Sequence, residues 1–197
     1  MSNRDKYLAA LDIGSSKVCC IIASRDEYDI SKIIGLGCNE AKGVSNGIIS
    51  DFNTAIKSIS AAMSEAEKQA NLKINEINIS ASSKVVLTKL FKQKINILED
   101  KIKQEDINES LNLVMQSSYF NEKQILHAAP IGFTIDGANE IKNPVGMYGS
   151  NLEVDFVIST IGINHYKNYI ECVTKSNVDI GQVVFSGLAS GIAVLND

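Results

Sequence analysis

Short apolar runs separated by polar turns occupy the first forty residues. Residues 7–13, 18–24 and 30–37 are each rich in β-forming side chains, which predicts a β-meander. The spacing of the apolar residues then changes, and over residues 52–70 they recur every three or four positions. That spacing predicts a helix with Asp51 as its N-cap. The short strand-like run EINISAS, residues 76–82, follows. A helix that returns to a strand predicts a mixed sheet with helices packed on it.

The pattern of apolar and charged residues changes near Ser83. The lysine-rich runs KVVLTKLF and QKINIL predict two strands, and residues 104–117 predict a helix. Two more strands are expected in QILHAAPIGFTID and LEVDFVIST, with the loop GANEIKNPVGMYGSN between them. A helix, a strand and a helix then follow from Asn164 onwards. We therefore predict a discontinuous domain, residues 1–82 and 163–197, interrupted by a small α+β insert of residues 83–162.

Composition narrows the function classes only slightly. The chain has 197 residues, of which 45% are hydrophobic and 21% charged, and its net charge is -4. This length allows one domain or two small ones, and the charge gives no basic excess that would indicate a nucleic-acid partner. No apolar run approaches the ~18 residues of a membrane span. The N-terminus lacks the apolar core of a secretory signal, so a cytoplasmic protein is expected.

The chain has four cysteines: Cys19, Cys20, Cys38 and Cys172. They form no CxxC pair, and their spacing to the two histidines does not match a metal site. Cys19 and Cys20 are neighbours in a predicted strand, so their side chains should point to opposite faces. We expect all four to be reduced, mostly buried thiols.

The polar stretch DIGSSK, residues 12–17, lies between the first two predicted strands. Gly14 can adopt a left-handed conformation, and successive backbone N–H groups at such a turn suit phosphate oxygens. Ser15 and Ser16 add hydroxyl donors, and Lys17 adds a cation. Asp12 is badly placed to meet phosphate, but it fits an outer-shell partner of Mg²⁺, which keeps several waters. An ordinary solvated hairpin turn explains the same residues, and both interpretations stay open on the spacing alone.

A resemblance favours the phosphate interpretation. A strand that ends in DIGSS and leads directly into a second strand resembles the first phosphate motif of the actin-like ATPases. Within that superfamily, DIGSSKV resembles the FtsA family of bacterial cell-division proteins. The segments IIGLGCNEAKGVSNGIISDF, QILHAAPIGFTIDGANEIKNPVGMYG and VDIGQVVFSGLASGIAVL also resemble that family. The second of these, around NPVG, is the most specific match.

The resemblance implies a fold. It is an α/β, actin-like (ribonuclease H-like) lobe with a mixed five-stranded sheet and helices. The predicted segments 1–82 and 163–197 would correspond to subdomain 1A of the family, and the insert to subdomain 1C.

The resemblance also implies site residues. Gly14, Ser15, Ser16 and Lys17 would hold the phosphates of ATP, and Asp12 would help to place Mg²⁺ through water. Small residues would form a hinge between two large lobes: Gly187, Ala189 and Gly191.

Family partners and location follow from the same resemblance. Members polymerise and link the FtsZ ring to the inner face of the cell membrane at the division site. The insert would contact neighbouring FtsA molecules and later division proteins. In the family, a second lobe supplies another phosphate turn, the adenosine site and the main FtsZ-binding surface, and a C-terminal amphipathic helix binds the membrane.

This sequence ends at Asp197, where that second lobe would begin. We therefore expect a chain that represents only the first lobe, that binds ATP weakly or not at all, and that has no enzymatic activity by itself. Two alternatives remain: a pilus-assembly adaptor of the PilM type, and a fragment of an ATP-dependent sugar or metabolite kinase. The kinase would need a catalytic acid and a sugar-binding insert, which we do not find.

Overall fold

A computed structural model describes residues 7–25, 31–81, 84–98 and 101–195. The chain divides into two compact units, one formed by Met1–Val86 with Gly162–Asp197 and the other by Leu87–Ile161. We call them the sheet unit and the insert unit. Ser82 and the predicted domain boundary after it lie outside the described residues.

The strands and helices follow one another in chain order. The strands are β1 Tyr7–Ile13, β2 Lys17–Arg25, β3 Ser31–Glu40, β4 Val44–Ser45, β5 Ile48–Ile49, β6 Glu76–Ala81, β7 Val86–Asn96, β8 Lys123–Ile135, β9 Ala138–Ile141, β10 Asn151–Gly162 and β11 Asp179–Phe185. The helices are α1 Phe52–Ala70, α2 Gln104–Met115, α3 Ile163–Thr174 and α4 Ser186–Val194.

A mixed five-stranded sheet with the order β11-β6-β1-β2-β3 organises the sheet unit. β1, β2 and β3 form an antiparallel meander, whereas β6 lies parallel to both β1 and β11. The carboxyl ends of β1, β6 and β11 therefore meet at one edge of the sheet, which we call the carboxyl edge. The turn between β1 and β2 and the start of α4 both lie at this edge.

Helix α1 covers the face of the meander on which Leu11, Val18 and Ile22 are buried. The Asp51 carboxylate accepts a hydrogen bond from the Thr54 N–H at 2.8 Å, which confirms the predicted N-cap. The helix lies very close to β3, because a Cβ at Gly37 would stand 2.0 Å from the carbonyl oxygen of Ala62. The backbone of α1 therefore packs directly against β3.

β3 is an edge strand of this sheet, and side chains of α1 accept hydrogen bonds from its backbone N–H groups. Glu65 Oε2 accepts from the Cys38 N–H at 3.1 Å, and Gln69 Oε1 accepts from the Leu36 N–H at 3.0 Å. Edge strands with free N–H groups tend to pair with other chains. Contacts from the helix thus protect β3 at two positions.

The insert unit is built on a second sheet, with the order β7-β10-β8-β9. Its core is formed mainly by β10, where Leu152, Val154, Phe156 and Ile158 are fully buried. Ile107 and Val114 of α2 pack against this core. The insert unit is therefore α+β, as the sequence predicted.

Three local expectations are wrong. KVVLTKLF and QKINIL form one continuous strand, β7, rather than two. The segment GANEIKNPVGMYGSN was expected to be a loop but contains β9, which pairs with β8 through a turn at Asp136 and Gly137. Gly14 does not adopt a left-handed conformation.

The cysteine prediction also needs correction. Cys20 and Cys172 are buried free thiols, as expected, but Cys19 and Cys38 form a disulfide. The register of β2 and β3 places these two residues directly opposite each other. Paired residues on adjacent strands project to the same face of a sheet, so their side chains meet. Cys38 is exposed, and Cys19 is only half-buried.

Candidate functional site

The turn from Gly14 to Lys17 joins β1 and β2 at the carboxyl edge. It is closed by a hydrogen bond from the Gly14 N–H to the Lys17 carbonyl oxygen at 3.0 Å. A Cβ at position 14 would lie 2.9 Å from that same oxygen, so the tight closure, rather than a left-handed conformation, requires glycine. Ser15, Ser16 and Lys17 are exposed at the tip. We call residues 14–17 the β1–β2 turn.

Two neighbouring segments hold the turn in place. The Ala41 N–H donates to the Ser16 carbonyl oxygen at 3.0 Å, which ties the turn to the end of β3. The Gly47 N–H donates to Ser15 Oγ at 3.1 Å. Gly47 lies at the tip of the β4–β5 hairpin, so this small hairpin supports the turn from one side.

The hairpin tip is itself anchored by α3. The buried Tyr169 hydroxyl donates to the Gly47 carbonyl oxygen at 2.5 Å. Asn46 and Gly47 have φ values of 51° and 73°, as a type I′ hairpin turn requires. Sequence reasoning missed both Gly47 and Tyr169. The Asn-Gly pair was a usable signal for the hairpin, but no local pattern links Tyr169 to it.

The turn keeps several donors available. Within the part of the chain that the structure describes, the N–H groups of Ser15 and Ser16 have no hydrogen-bond partner. The ammonium of Lys17 forms no ion pair with any described residue. Ser15 Oγ accepts from Gly47, so its own hydrogen is free to donate elsewhere. Such a group of donors beside a cation suits an anion with several oxygens, such as phosphate.

Asp12 lies next to the turn, in the penultimate position of β1. Its side chain is exposed, and its Oδ2 atom stands 4.0 Å from the position of a Cβ at Gly14. Among the described residues, no group of three His, Cys, Asp or Glu side chains is placed to hold a metal ion. A single carboxylate fits Mg²⁺ that keeps most of its waters, and it does not fit a metal held by protein ligands alone.

The predicted hinge residues lie on α4, which begins at the carboxyl edge. Phe185 pairs with Ala81 of β6, and Asp12 pairs with Ser80, so the start of α4 and the β1–β2 turn share this edge. α4 has no side-chain N-cap, and none of its residues is buried. Among the described residues, a Cβ at Gly191 would meet only Leu195. The hinge role of Gly187, Ala189 and Gly191 stays a prediction.

A cavity of about 650 Å³ lies in the insert unit rather than at the turn. It is polar, with Lys94, Asp136, Asn139 and Glu153 in its lining. The Asp136 carboxylate accepts hydrogen bonds from the N–H groups of Ser150 and Asn151, both at 2.9 Å, which lowers its pKa.

Known proteins resemble this chain along its whole length. Residues 87–160 match the family model of the SHS2 domain inserted in FTSA. The cell-division protein FtsA of Buchnera aphidicola subsp. Schizaphis graminum is 33% identical over 197 residues, which is 100% of this chain and 47% of that protein. Over its whole length the chain is therefore similar to FtsA cell-division proteins. FtsA of Agrobacterium fabrum is 30% identical over 206 residues and FtsA of Escherichia coli K12 is 27% identical over 192 residues. Each match includes 46% of the relative, so this chain spans about half their length.

A solved structure supports the fold assignment. The PilM-PilN type IV pilus biogenesis complex contains a chain that aligns with a TM-score of 0.66 and 12% identity, covering 94% of this chain and 49% of that one. At this identity the likeness shows the fold alone, so it gives no support to a pilus function. The actin-like fold class is confirmed. None of the described helices combines the length and the apolar character that crossing a membrane requires.

Proposed function

We propose that this chain supplies one phosphate-binding side of an ATP site in a cell-division protein. Gly14, Ser15, Ser16 and Lys17 bind phosphate oxygens, and Asp12 contacts Mg²⁺ through water. The observation that carries the proposal is the fixed turn. The Ala41 N–H, just after β3, holds the Ser16 carbonyl oxygen, and the β4–β5 hairpin holds the Ser15 side chain. The N–H groups of Ser15 and Ser16 have no partner among the described residues.

The expected affinity for nucleotide is low. Lys17 at about 4 Å from one phosphate charge contributes roughly 1 kcal/mol in water and about 4 kcal/mol at an effective dielectric constant near 20. The exposure of the turn places it closer to the first limit. The resemblance assigns the adenosine site to a second lobe. We therefore expect ATP to bind this chain weakly or not at all by calorimetry, and a micromolar dissociation constant would contradict this expectation.

Nuclear magnetic resonance can detect such weak binding. Titration with Mg²⁺ and ATP should shift the amide resonances of Gly14, Ser15, Ser16 and Lys17, and adenosine alone should not. Lys17→Ala should abolish these shifts. Lys32→Ala is the matched control, because Lys32 pairs with Ser24 at the opposite end of the same strands. Shifts that persist in Lys17→Ala, or that vanish equally in Lys32→Ala, would overturn the assignment.

The proposal extends to the partners that the resemblance implies. The longer protein would polymerise, link FtsZ to the membrane at the division site, and recruit later division proteins through the insert unit. Because the resemblance places the main FtsZ-binding surface in the second lobe, this chain alone should not sediment with FtsZ filaments. Co-sedimentation that saturates with filament concentration would show that the FtsZ contact lies in these 197 residues instead.

A further inference from the structure

The disulfide between Cys19 and Cys38 lies on the surface, and Cys19 follows the β1–β2 turn by two residues along β2. The two Cα atoms are 4.2 Å apart, close to the ~4.5 Å of a non-hydrogen-bonded pair in an antiparallel sheet. In keeping with that position, the Cys38 N–H points out of the pair and donates to Glu65 of α1. The backbone thus brings the two thiols together by the strand register alone, and Cys38 is accessible to solvent.

The location of this pair connects it with the candidate site. Asp12 pairs with Cys19, and Cys19 pairs with Cys38, so the three side chains form one row across β1, β2 and β3. The next pair along β2 and β3 towards the turn is Val18 with Asn39, followed by Lys17 with Glu40. A covalent link at Cys19–Cys38 therefore joins the strand that carries Lys17 to the strand whose end holds Ser16 through Ala41.

We propose that Cys19 and Cys38 form a reversible thiol–disulfide exchange site for low-molecular-weight thiols and disulfides, and that its oxidation state sets the mobility of the β1–β2 turn. The exchange itself does not depend on nucleotide binding.

The chemistry balances with a small disulfide as the oxidant. In the reduced protein, the Cys38 thiolate attacks one sulfur of the small disulfide, forms a mixed disulfide and releases one small thiolate. The Cys19 thiolate then attacks the Cys38 sulfur, forms the protein disulfide and releases the second small thiolate. Two small thiols run the same steps in reverse and restore both protein thiols.

The other two cysteines provide an internal contrast. Cys20 and Cys172 are fully buried. Burial raises the pKa of the Cys20 thiol to about 12 and that of the Cys172 thiol to about 11. Because the thiolate is the reactive form, neither should exchange while the protein is folded. The exchange is therefore specific to the surface pair.

The first test equilibrates the 197-residue chain with mixtures of reduced and oxidised glutathione and then adds a thiol-alkylating reagent. Peptide mass spectrometry should find Cys19 and Cys38 labelled together in reducing mixtures and protected together in oxidising ones. Cys20 and Cys172 should stay unlabelled until the chain is denatured. Cys38→Ser is the informative variant, because its remaining partner, Cys19, can form only a mixed disulfide. The proposal fails if the pair stays labelled in every mixture, or if it stays protected when reduced glutathione dominates.

The second test measures hydrogen exchange of the turn in both oxidation states. Amides of residues 14–17 should exchange faster in the reduced chain by about an order of magnitude, which corresponds to ~1.4 kcal/mol less stability against local opening. The double variant Cys19→Ser with Cys38→Ser should match the reduced chain in every mixture. Equal exchange in the two states would remove the coupling to the turn, whatever the outcome of the nucleotide titration.

Discussion

Tyr169 of α3 is linked by hydrogen bonds to the β1–β2 turn through Gly47. Its side chain is 1% exposed, and its hydroxyl donates to the Gly47 carbonyl oxygen, while the Gly47 N–H holds Ser15. Two hydrogen bonds thus connect a buried helix residue with an exposed serine of the turn. This connection holds the exposed turn in position from a buried helix.

Tyr169→Phe tests this connection. The substitution keeps the ring and leaves the Gly47 carbonyl without its donor, so we expect a loss of about 1–3 kcal/mol in unfolding free energy. Hydrogen exchange should accelerate in residues 44–49 and 14–16 more than elsewhere. Tyr148→Phe is the matched control, because Tyr148 is 70% exposed and should change stability little. An equal effect of the two variants would show that the Tyr169 hydroxyl does not support the hairpin.

Gly37 has a different role, because its lack of a side chain lets α1 approach β3 closely. A Cβ there would lie 2.0 Å from the Ala62 oxygen, 2.8 Å from the Ala66 nitrogen and 2.9 Å from the Glu65 Cβ, and none of these atoms is the far end of a flexible side chain. Gly37→Ala should therefore cost at least ~2 kcal/mol of unfolding free energy in urea. Gly191→Ala is a suitable control, because the only described atom near its Cβ belongs to Leu195, at an ordinary contact distance of 3.7 Å. A Gly37→Ala protein as stable as the control would mean that helix and strand separate easily.

Among the elements, α1 was the easiest to predict. Its apolar residues keep the helical period over 52–70, and its N-cap is a strong local signal, so the predicted and observed bounds agree. The turn of residues 14–17 was also located from sequence, because Gly14 and the two serines interrupt two β-rich runs. These features depend on neighbours in the chain, which is why the sequence reveals them.

Features that depend on pairing between strands were missed. β7 is an edge strand of its sheet, where exposed lysines interrupt the alternation that marks a strand, so one strand was predicted as two. The disulfide requires the register of β2 against β3, and the anchoring of Gly47 requires α3 to reach it from 122 residues away. No local pattern encodes such distant contacts.

The N-cap of α1 predicts a pH effect. Hydrogen bonds from the Thr54 N–H lower the pKa of the Asp51 carboxyl below its ordinary value of 3.8. A carboxyl with a lowered pKa in the folded state stabilises the fold above its ordinary pKa, and this contribution is lost as the pH falls through the lowered value. Below pH 3.8 the start of α1 should therefore fray, which hydrogen exchange or the Thr54 amide shift would report.

Asp51→Asn is the control for this effect. Asparagine is as good an N-cap as aspartate but does not titrate in this range. The variant should keep the start of α1 ordered over the pH range in which the original chain frays. If both proteins fray at the same pH, the Asp51 carboxylate is not the group responsible.

At the scale of the whole molecule, each unit has a core of its own. Leu11, Ile22, Ile59 and Ile79 belong to the sheet unit, whereas Leu152, Val154 and Phe156 fill the insert unit. The matched SHS2 domain, residues 87–160, coincides closely with the compact unit Leu87–Ile161. A segment that matches a domain family and also forms its own compact core can fold and unfold independently of the rest of the chain.

Separate cores predict that damage to one unit stays local. Phe156→Ala removes a fully buried ring from the insert unit and should cost about 3–5 kcal/mol there. Ile59→Ala should cost about 2–5 kcal/mol in the sheet unit. Hydrogen exchange measured by peptide in increasing urea can follow both units in one sample. Each variant should shift the transition of its own unit and leave the other within ~0.5 kcal/mol. If both variants shift both transitions equally, the chain unfolds as one cooperative body, and the insert then contributes to the stability of the candidate site.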